Sequence, residues 1–402
     1  MTGAAGVAPD GGPRSAPAGR RPVICGLGIT ELGKVYGPTA AQFAADAVRR
    51  AAADAGLALG AIDGLLVSSG ISHGVQLDLQ LDLGLHDLAL LSEMQAYGST
   101  AGAMVQVASM AVQSGLASTV ACVWADAPLR PGTSSAAAYG NAARVPSGWR
   151  GLSAAAGIVG ANPRYAMAAR RHMERFGTTS DQLGTIAVAQ RDWAVLNPLA
   201  QLRTPITIED YHASRWIAEP FRLLDCCLVS NGGIAVIVTS AERAAGLRQP
   251  PVYVRGWAQA HPGHSGRRFD DFGLISGAAT AGPAALRMAD AELADIDVVE
   301  LYDCYTYTVL VTLEDYGFCG KGEGGPFAAS GVLGPEGKLK VNTGGGQLSA
   351  YYMWGMTPLS EAVIQARGQA GQRQVRDHQL VLVSGNGGVL DHHSTLVLAA
   401  AP

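Results

Sequence analysis

Residues 342–356, NTGGGQLSAYYMWGM, hold the side chains best suited to chemistry. Gly344, Gly345 and Gly346 let the backbone take positive φ and approach a ligand with no Cβ in the way. Tyr351 and Tyr352 follow, and the pattern over 357–367 predicts a helix. A glycine-rich turn that places a titratable side chain just before a helix suits a site. It equally suits a tight turn carrying two half-buried core tyrosines.

Composition narrows the classes. The 402 residues are 48% hydrophobic and 15% charged, ample for a large core. A net charge of −4, with no Lys/Arg-rich run, gives no electrostatic case for nucleic acid. No run approaches the ~18 apolar residues a membrane span needs. The six cysteines (Cys25, Cys122, Cys226, Cys227, Cys304, Cys319) form no CxxC and no zinc-ligand spacing. With no secretory signal they predict reduced thiols in a cytoplasmic protein. Residues 1–21 are small, polar and rich in Pro and Gly, lack an apolar stretch, and are expected to be a disordered tail.

The elements that must position the tyrosines follow from periodicity. Strands are expected at 22–30, 62–69, 88–92 and 119–124, with helices at 40–55 and from about 100 to 114. That alternation argues for an α/β protein with buried sheets. From 126 to 224 helical patterns at 163–176 and 179–197 sit among polar loops, as an inserted lid would. After a strand at 230–240 the pattern restarts. Strands are expected at 252–257, 295–301, 380–384 and 394–399, and helices at 278–289 and 306–316. AIDGLLVSS at 61–69 echoes DIDVVELYD at 295–303, and SNGG at 230–233 echoes GNGG at 385–388. Echoes in the same order predict a duplicated fold. Residues 22–245, including the lid 126–224, form the first half and 250–402 the second.

Three motifs, ELYDCYT at 300–306, NTGGGQLSAYY at 342–352 and SGNGG at 384–388, together resemble the thiolase superfamily, and more narrowly the sterol-carrier-protein or lipid-transfer-protein type. The resemblance runs from Pro22 to Ala399. It implies an α/β thiolase fold of two pseudo-duplicated halves in five layers, αβαβα. Four positions depart from working thiolases. Gly98, in YGSTAGA at 97–103, stands where the nucleophilic cysteine belongs, and Tyr352 where the loop histidine belongs. Tyr302 replaces the oxyanion-hole Asn or His, and Ser384 the second cysteine. Two phenols at these loops resemble the cysteine-less thiolase-like retro-aldolases of bacterial sterol side-chain degradation. Those enzymes cleave a β-hydroxyacyl-CoA into a ketone or aldehyde and a shorter acyl-CoA, with a small OB-fold partner of the DUF35 type.

The resemblance implies a homodimer, and with one partner per protomer a heterotetramer. CoA enters as part of the substrate, and no cofactor or metal is implied. Retro-aldol chemistry needs a base for the β-hydroxyl, stabilisation of the enolate and an acid for the α-carbon, but no acyl-enzyme. A phenol with an ordinary pKa of ~10 must be tuned by N–H donors or a proton shuttle to act as base. Tyr352 is expected to take the hydroxyl proton and Tyr302 to serve the enolate, the reverse assignment staying open. Backbone amides near Gly98 and Gly388 are expected to form an oxyanion hole. Asp303 reads as an orienting group or a helix N-cap. Ser384 and His392, within the Asp391–His392–His393 cluster, are supporting candidates. Tyr305, Tyr307 and Tyr351 read as packing residues, Cys304 as a structural thiol, and Cys226 and Cys227 as core thiols. Two other classes remain open: a C–C bond-forming acyltransferase subunit whose partner supplies the cysteine, and a non-catalytic acyl-CoA-binding scaffold.

Overall fold

The computed structural model describes residues 20–139, 148–263 and 272–402. Apart from its last two residues, the tail expected at 1–21 lies outside them. The first half supplies β1 (Pro22–Ile29), α1 (Ala40–Ala55), β2 (Gly64–Ser68), β3 (Leu90–Glu93), α2 (Thr100–Ser114) and β4 (Thr119–Asp126). The inserted segment carries α3 (Asn162–Phe176), α4 (Ser180–Val195) and a small hairpin, β5 (Trp216–Ala218) and β6 (Phe221–Arg222), before β7 (Gly232–Ser240) closes the half. The second half runs β8 (Val252–Ala260), α5 (Ala278–Ala289), β9 (Ile296–Glu300), α6 (Thr306–Tyr316), β10 (Lys340–Val341), α7 (Met356–Ala366), β11 (Leu380–Gly387) and β12 (His392–Ala399).

Local sequence accounts for most of these boundaries. Thr39 and Gln42 make a reciprocal capping box at the start of α1, and Gly56 ends it in the left-handed conformation at φ 75°. Between the caps Phe43, Ala44, Ala47, Val48 and Ala51 recur at helical spacing and are buried. The strands read as apolar runs because nearly all are covered on both faces.

The ten main strands are hydrogen-bonded in the order β10-β9-β11-β12-β8-β1-β7-β4-β2-β3. From the central seam outward, each half places its first strand, then its last, then the parallel strands. This is the duplication the sequence echoes predict. The seam is short, pairing Val23 with Tyr253 and Ile24 with Val252. Helices α2 and α7 each touch strands of both halves and form the middle layer, while α1 and α5 cover the outer faces. The lid is tied into the second half: α4 packs on α6 and on the turn at Gly346–Ala350. Buried His172 of α3 bonds Thr178 Oγ1 at 2.8 Å and Glu314 of α6 at 3.1 Å. Among the described residues no helix is long and apolar enough to cross a membrane.

Candidate active site

Tyr302 lies just past the carboxyl end of β9, at the edge where open α/β sheets place their ligands. Its backbone N–H donates to Ser384 Oγ (3.2 Å), and the preceding Leu301 N–H donates to Asn342 Oδ1 (2.6 Å). Three loop ends are thus stitched together. Tyr352 arrives from the other side, at the end of the turn Gly346–Ala350, with its N–H on Ser230 Oγ (3.1 Å). The turn starts with Gly345 and Gly346 at φ 91° and 59°, which only glycine adopts at little cost. Both phenols are nearly buried, at 4% and 8% exposure.

Gly98 explains the room for Tyr302. A Cβ on residue 98 would stand 2.2 Å from Cε2 and Cζ of the Tyr302 ring and 2.2 Å from the Asn386 carbonyl oxygen. A side chain at 98 and the Tyr302 ring in its present place are therefore mutually exclusive. The ring fills the space a nucleophilic side chain would need.

Burial pushes both phenols well above their ordinary pKa, and the nearness of Tyr352 raises Tyr302 further. For Tyr352, hydrogen bonds from Tyr302 and Trp354 pull the other way without overcoming burial. An N–H donor that favours the phenolate does reach Tyr352, from the Trp354 indole, but burial outweighs it. The site rests as two neutral, hydrogen-bonded phenols. Around them stand Cys304, Cys227 and Tyr165, each close enough to raise the cost of charge there. Burial pushes the Cys304 thiol up to about 12, so it rests as an inert thiol.

The other expected residues fall into distinct places. Asp303 is not the helix N-cap. That position belongs to Tyr305, and the Asp303 carboxylate turns back to accept the N–H groups of Gln347 (2.8 Å) and Leu348 (3.2 Å). It anchors the turn that carries Tyr352. Burial pushes its carboxyl up to about 7, against the lowering effect of those donors. Ser384 acts through the Tyr302 backbone. Gly388, at φ 66°, offers its carbonyl to the Tyr165 hydroxyl (2.6 Å). His392 and His393 belong to β12 and not to a loop. His392 bonds His261 (3.0 Å) and stacks on Tyr97 at the rim. His393 is fully buried, bonds Tyr316 and is pushed down to about 3 by burial.

Tyr305 and Tyr351 pack as expected, Tyr305 stacked 4.9 Å from Phe221. Tyr307 is buried with its hydroxyl on the Gly273 carbonyl. Cys226 and Cys227 are half-buried and not core. They run beside the site because Cys227 N–H bonds the Cys304 carbonyl (3.0 Å) and Cys226 bridges Tyr305. Sequence reasoning missed Tyr165. It reaches the phenols from α3 and no local motif marks it.

Comparison with known proteins fits this geometry. Residues 258–400 match the family described as thiolase C-terminal domain-like. The chain is 36% identical to a 17-hydroxy-3-oxo-4-pregnene-20-carboxyl-CoA lyase of Mycobacterium tuberculosis, over 90% of this chain and 96% of that protein. It is 37% identical to a steroid side-chain-cleaving aldolase of Thermomonospora curvata, over 91% and 95%. A solved structure described as an Ltp2-ChsH2(DUF35) aldolase superposes with a TM-score of 0.83 at 35% identity, covering 96% of this chain and 99% of that one. Fold and site thus define a carbon–carbon lyase of the thiolase superfamily. The chain belongs to the family of thiolase-like steroid side-chain-cleaving aldolases.

Proposed function

We propose that the chain cleaves the β-hydroxyacyl-CoA thioester of a steroid side chain by retro-aldol chemistry, with Tyr302 and Tyr352 as the catalytic residues. The observation that carries this reading is the pair of neutral, buried phenols set where Gly98 leaves no nucleophile. Two neutral phenols suit a relay in which neither has to ionise. With substrate bound, the two hydroxyls turn so that Tyr352 donates to Tyr302, and the substrate β-hydroxyl passes its proton to Tyr352 Oη as the Tyr352 proton moves to Tyr302 Oη. The Tyr302 proton then reaches the α-carbon. The electrons of the broken C–C bond enter the enolate of the thioester, the β-carbon becomes a carbonyl, and the enzyme ends with the protons it began with. Burial that makes a phenolate costly favours this concerted path.

CoA is part of the substrate and no cofactor takes part. Backbone amides around Gly98 and Gly388 serve the enolate oxygen, with Asp303 and Ser384 holding the two phenols in place. The protein works in the cytoplasm as a homodimer, each protomer bearing a DUF35-type OB-fold partner. The DUF35 component of the similar Ltp2-ChsH2 aldolase supports the partner, and β3, at the edge of the first half's sheet among the described residues, suits the dimer contact. The test is turnover of a steroidal β-hydroxyacyl-CoA by the co-purified complex, with acyl-CoA and ketone followed by mass spectrometry. Tyr302→Phe and Tyr352→Phe should each lower kcat by about 10²-fold or more with unchanged circular dichroism. Turnover by either variant within tenfold of wild type refutes the relay.

A further inference from the structure

A third phenol stands at the site, on the lid. Among the described residues, Tyr139 is the one tyrosine whose hydroxyl is buried with no hydrogen-bond partner. The hydroxyls of Ser68, Ser109, Thr119 and Thr312 are also buried and unpaired, so the lack of a partner alone is no signal. What sets Tyr139 apart is its company. Its hydroxyl lies within electrostatic reach of Tyr352, Asp126 and Cys227, and its ring packs against the core cluster that contains both catalytic phenols. The neighbouring acid is not its resting partner: Asp126 accepts the N–H groups of Ile71 (3.1 Å), Ser72 (3.3 Å) and Ala127 (2.9 Å), and the Tyr139 hydroxyl makes no bond to it. Tyr165, another phenol of the inserted segment, is spent on the Gly388 carbonyl. Tyrosine hydroxyls normally find a partner when buried, and leaving one unpaired costs about 1–3 kcal/mol. A substrate oxygen in the site would repair that defect.

We propose that Tyr139 is a further catalytic residue, donating its hydroxyl to the thioester carbonyl oxygen of the substrate as that oxygen becomes the enolate oxyanion. The inference rests on the aldol-cleavage reading above. It adds a side-chain donor to the backbone amides assigned there, and the donor comes from the inserted segment. Burial foremost keeps the phenol protonated and therefore able to donate. A preorganised donor aimed at developing charge in a dry site typically contributes about 10²–10³-fold to kcat.

The experiment compares wild type and Tyr139→Phe, each co-purified with its DUF35 partner, by steady-state cleavage of one steroidal β-hydroxyacyl-CoA and by thermal melting without substrate. The expected result is a fall of about 10²-fold in kcat with KM changed by less than about threefold. The melting temperature should hold or rise, since the lost hydroxyl bonds nothing in the free protein. Unchanged kcat beside an active wild type overturns the role of Tyr139 and leaves the aldolase reading standing. A rise in KM alone also overturns it, because the contact would then belong to the ground state. A loss of activity accompanied by a lower melting temperature does the same, marking the hydroxyl as structural. A wild type that turns over none of the substrate defeats the aldolase reading and this inference together.

Discussion

Restoring a side chain at residue 98 tests the logic of the site most directly. An ideal Cβ there would sit 2.2 Å from two atoms of the Tyr302 ring, whereas ordinary contact begins at 3.4 Å. The Asn386 carbonyl, also at 2.2 Å, belongs to strand backbone and cannot easily yield. The ring must therefore retreat by roughly 1 Å, and misplacement of that size typically costs about 10²-fold in rate. Overpacking of a well-filled core adds about 1–3 kcal/mol of lost stability. Gly98→Ala is thus expected to lower both kcat and melting temperature, and Gly98→Cys to do the same without gaining thiolase activity. The assay pairs steady-state cleavage with thermal melting, and adds Gly98→Ala in a Tyr302→Ala background. Removing the ring removes its share of the clash and leaves that with the Asn386 carbonyl, so Gly98→Ala should cost less stability there than in wild type, a non-additivity expected of touching residues. A Gly98→Ala protein that melts and turns over like wild type would refute the steric argument.

Two further outcomes follow from titratable groups near the phenols. Asp303 has a folded pKa pushed up to about 7 from an ordinary value of 3.8, so the folded state holds its proton more tightly than the unfolded chain. Its contribution to stability is full below pH ~4 and is lost as pH rises to about 7, a total on the order of 4 kcal/mol. Melts across that window should show the gap between Asp303→Asn and wild type shifting in favour of the variant as pH rises, then levelling above about 7. A gap independent of pH contradicts the assignment. Cys304 touches the site as a neutral thiol, so Cys304→Ser should retain turnover within about tenfold, and iodoacetamide should leave wild-type activity intact. A hundredfold loss in either experiment would return the thiol to the mechanism.

Much of this protein was legible in its residues alone. The helices over 40–55, 278–289 and 306–316 carry their own apolar spacing and end signals, and the structure places them at those bounds. These patterns act over a few residues, so they survive in a linear reading. The order of the echoing motifs likewise carried the duplicated halves, because each echo marks the same place in a strand or turn. Motif alignment also set Tyr302 and Tyr352 at facing loops, and the structure brings the two phenols together.

What the linear reading missed depends on contacts between distant segments. Asp303 looks like a cap for the helix that follows it, yet its carboxylate serves a turn 44 residues onward. Cys226 and Cys227 look like core thiols until backbone pairing with Tyr305 and Cys304 draws them to the rim of the site. Tyr165 sits on a helix legible at 163–176 and Tyr139 outside any expected element, and in both cases only packing brings them to the phenols. The same holds for protonation. Sequence asks how a phenol becomes a base, while burial in the folded site answers that both remain neutral. Residue type and short-range spacing determined the elements and the chemistry available. Tertiary packing decided which groups meet, how dry they are and what each can do, because desolvation and steric exclusion are properties of neighbours far apart in the chain.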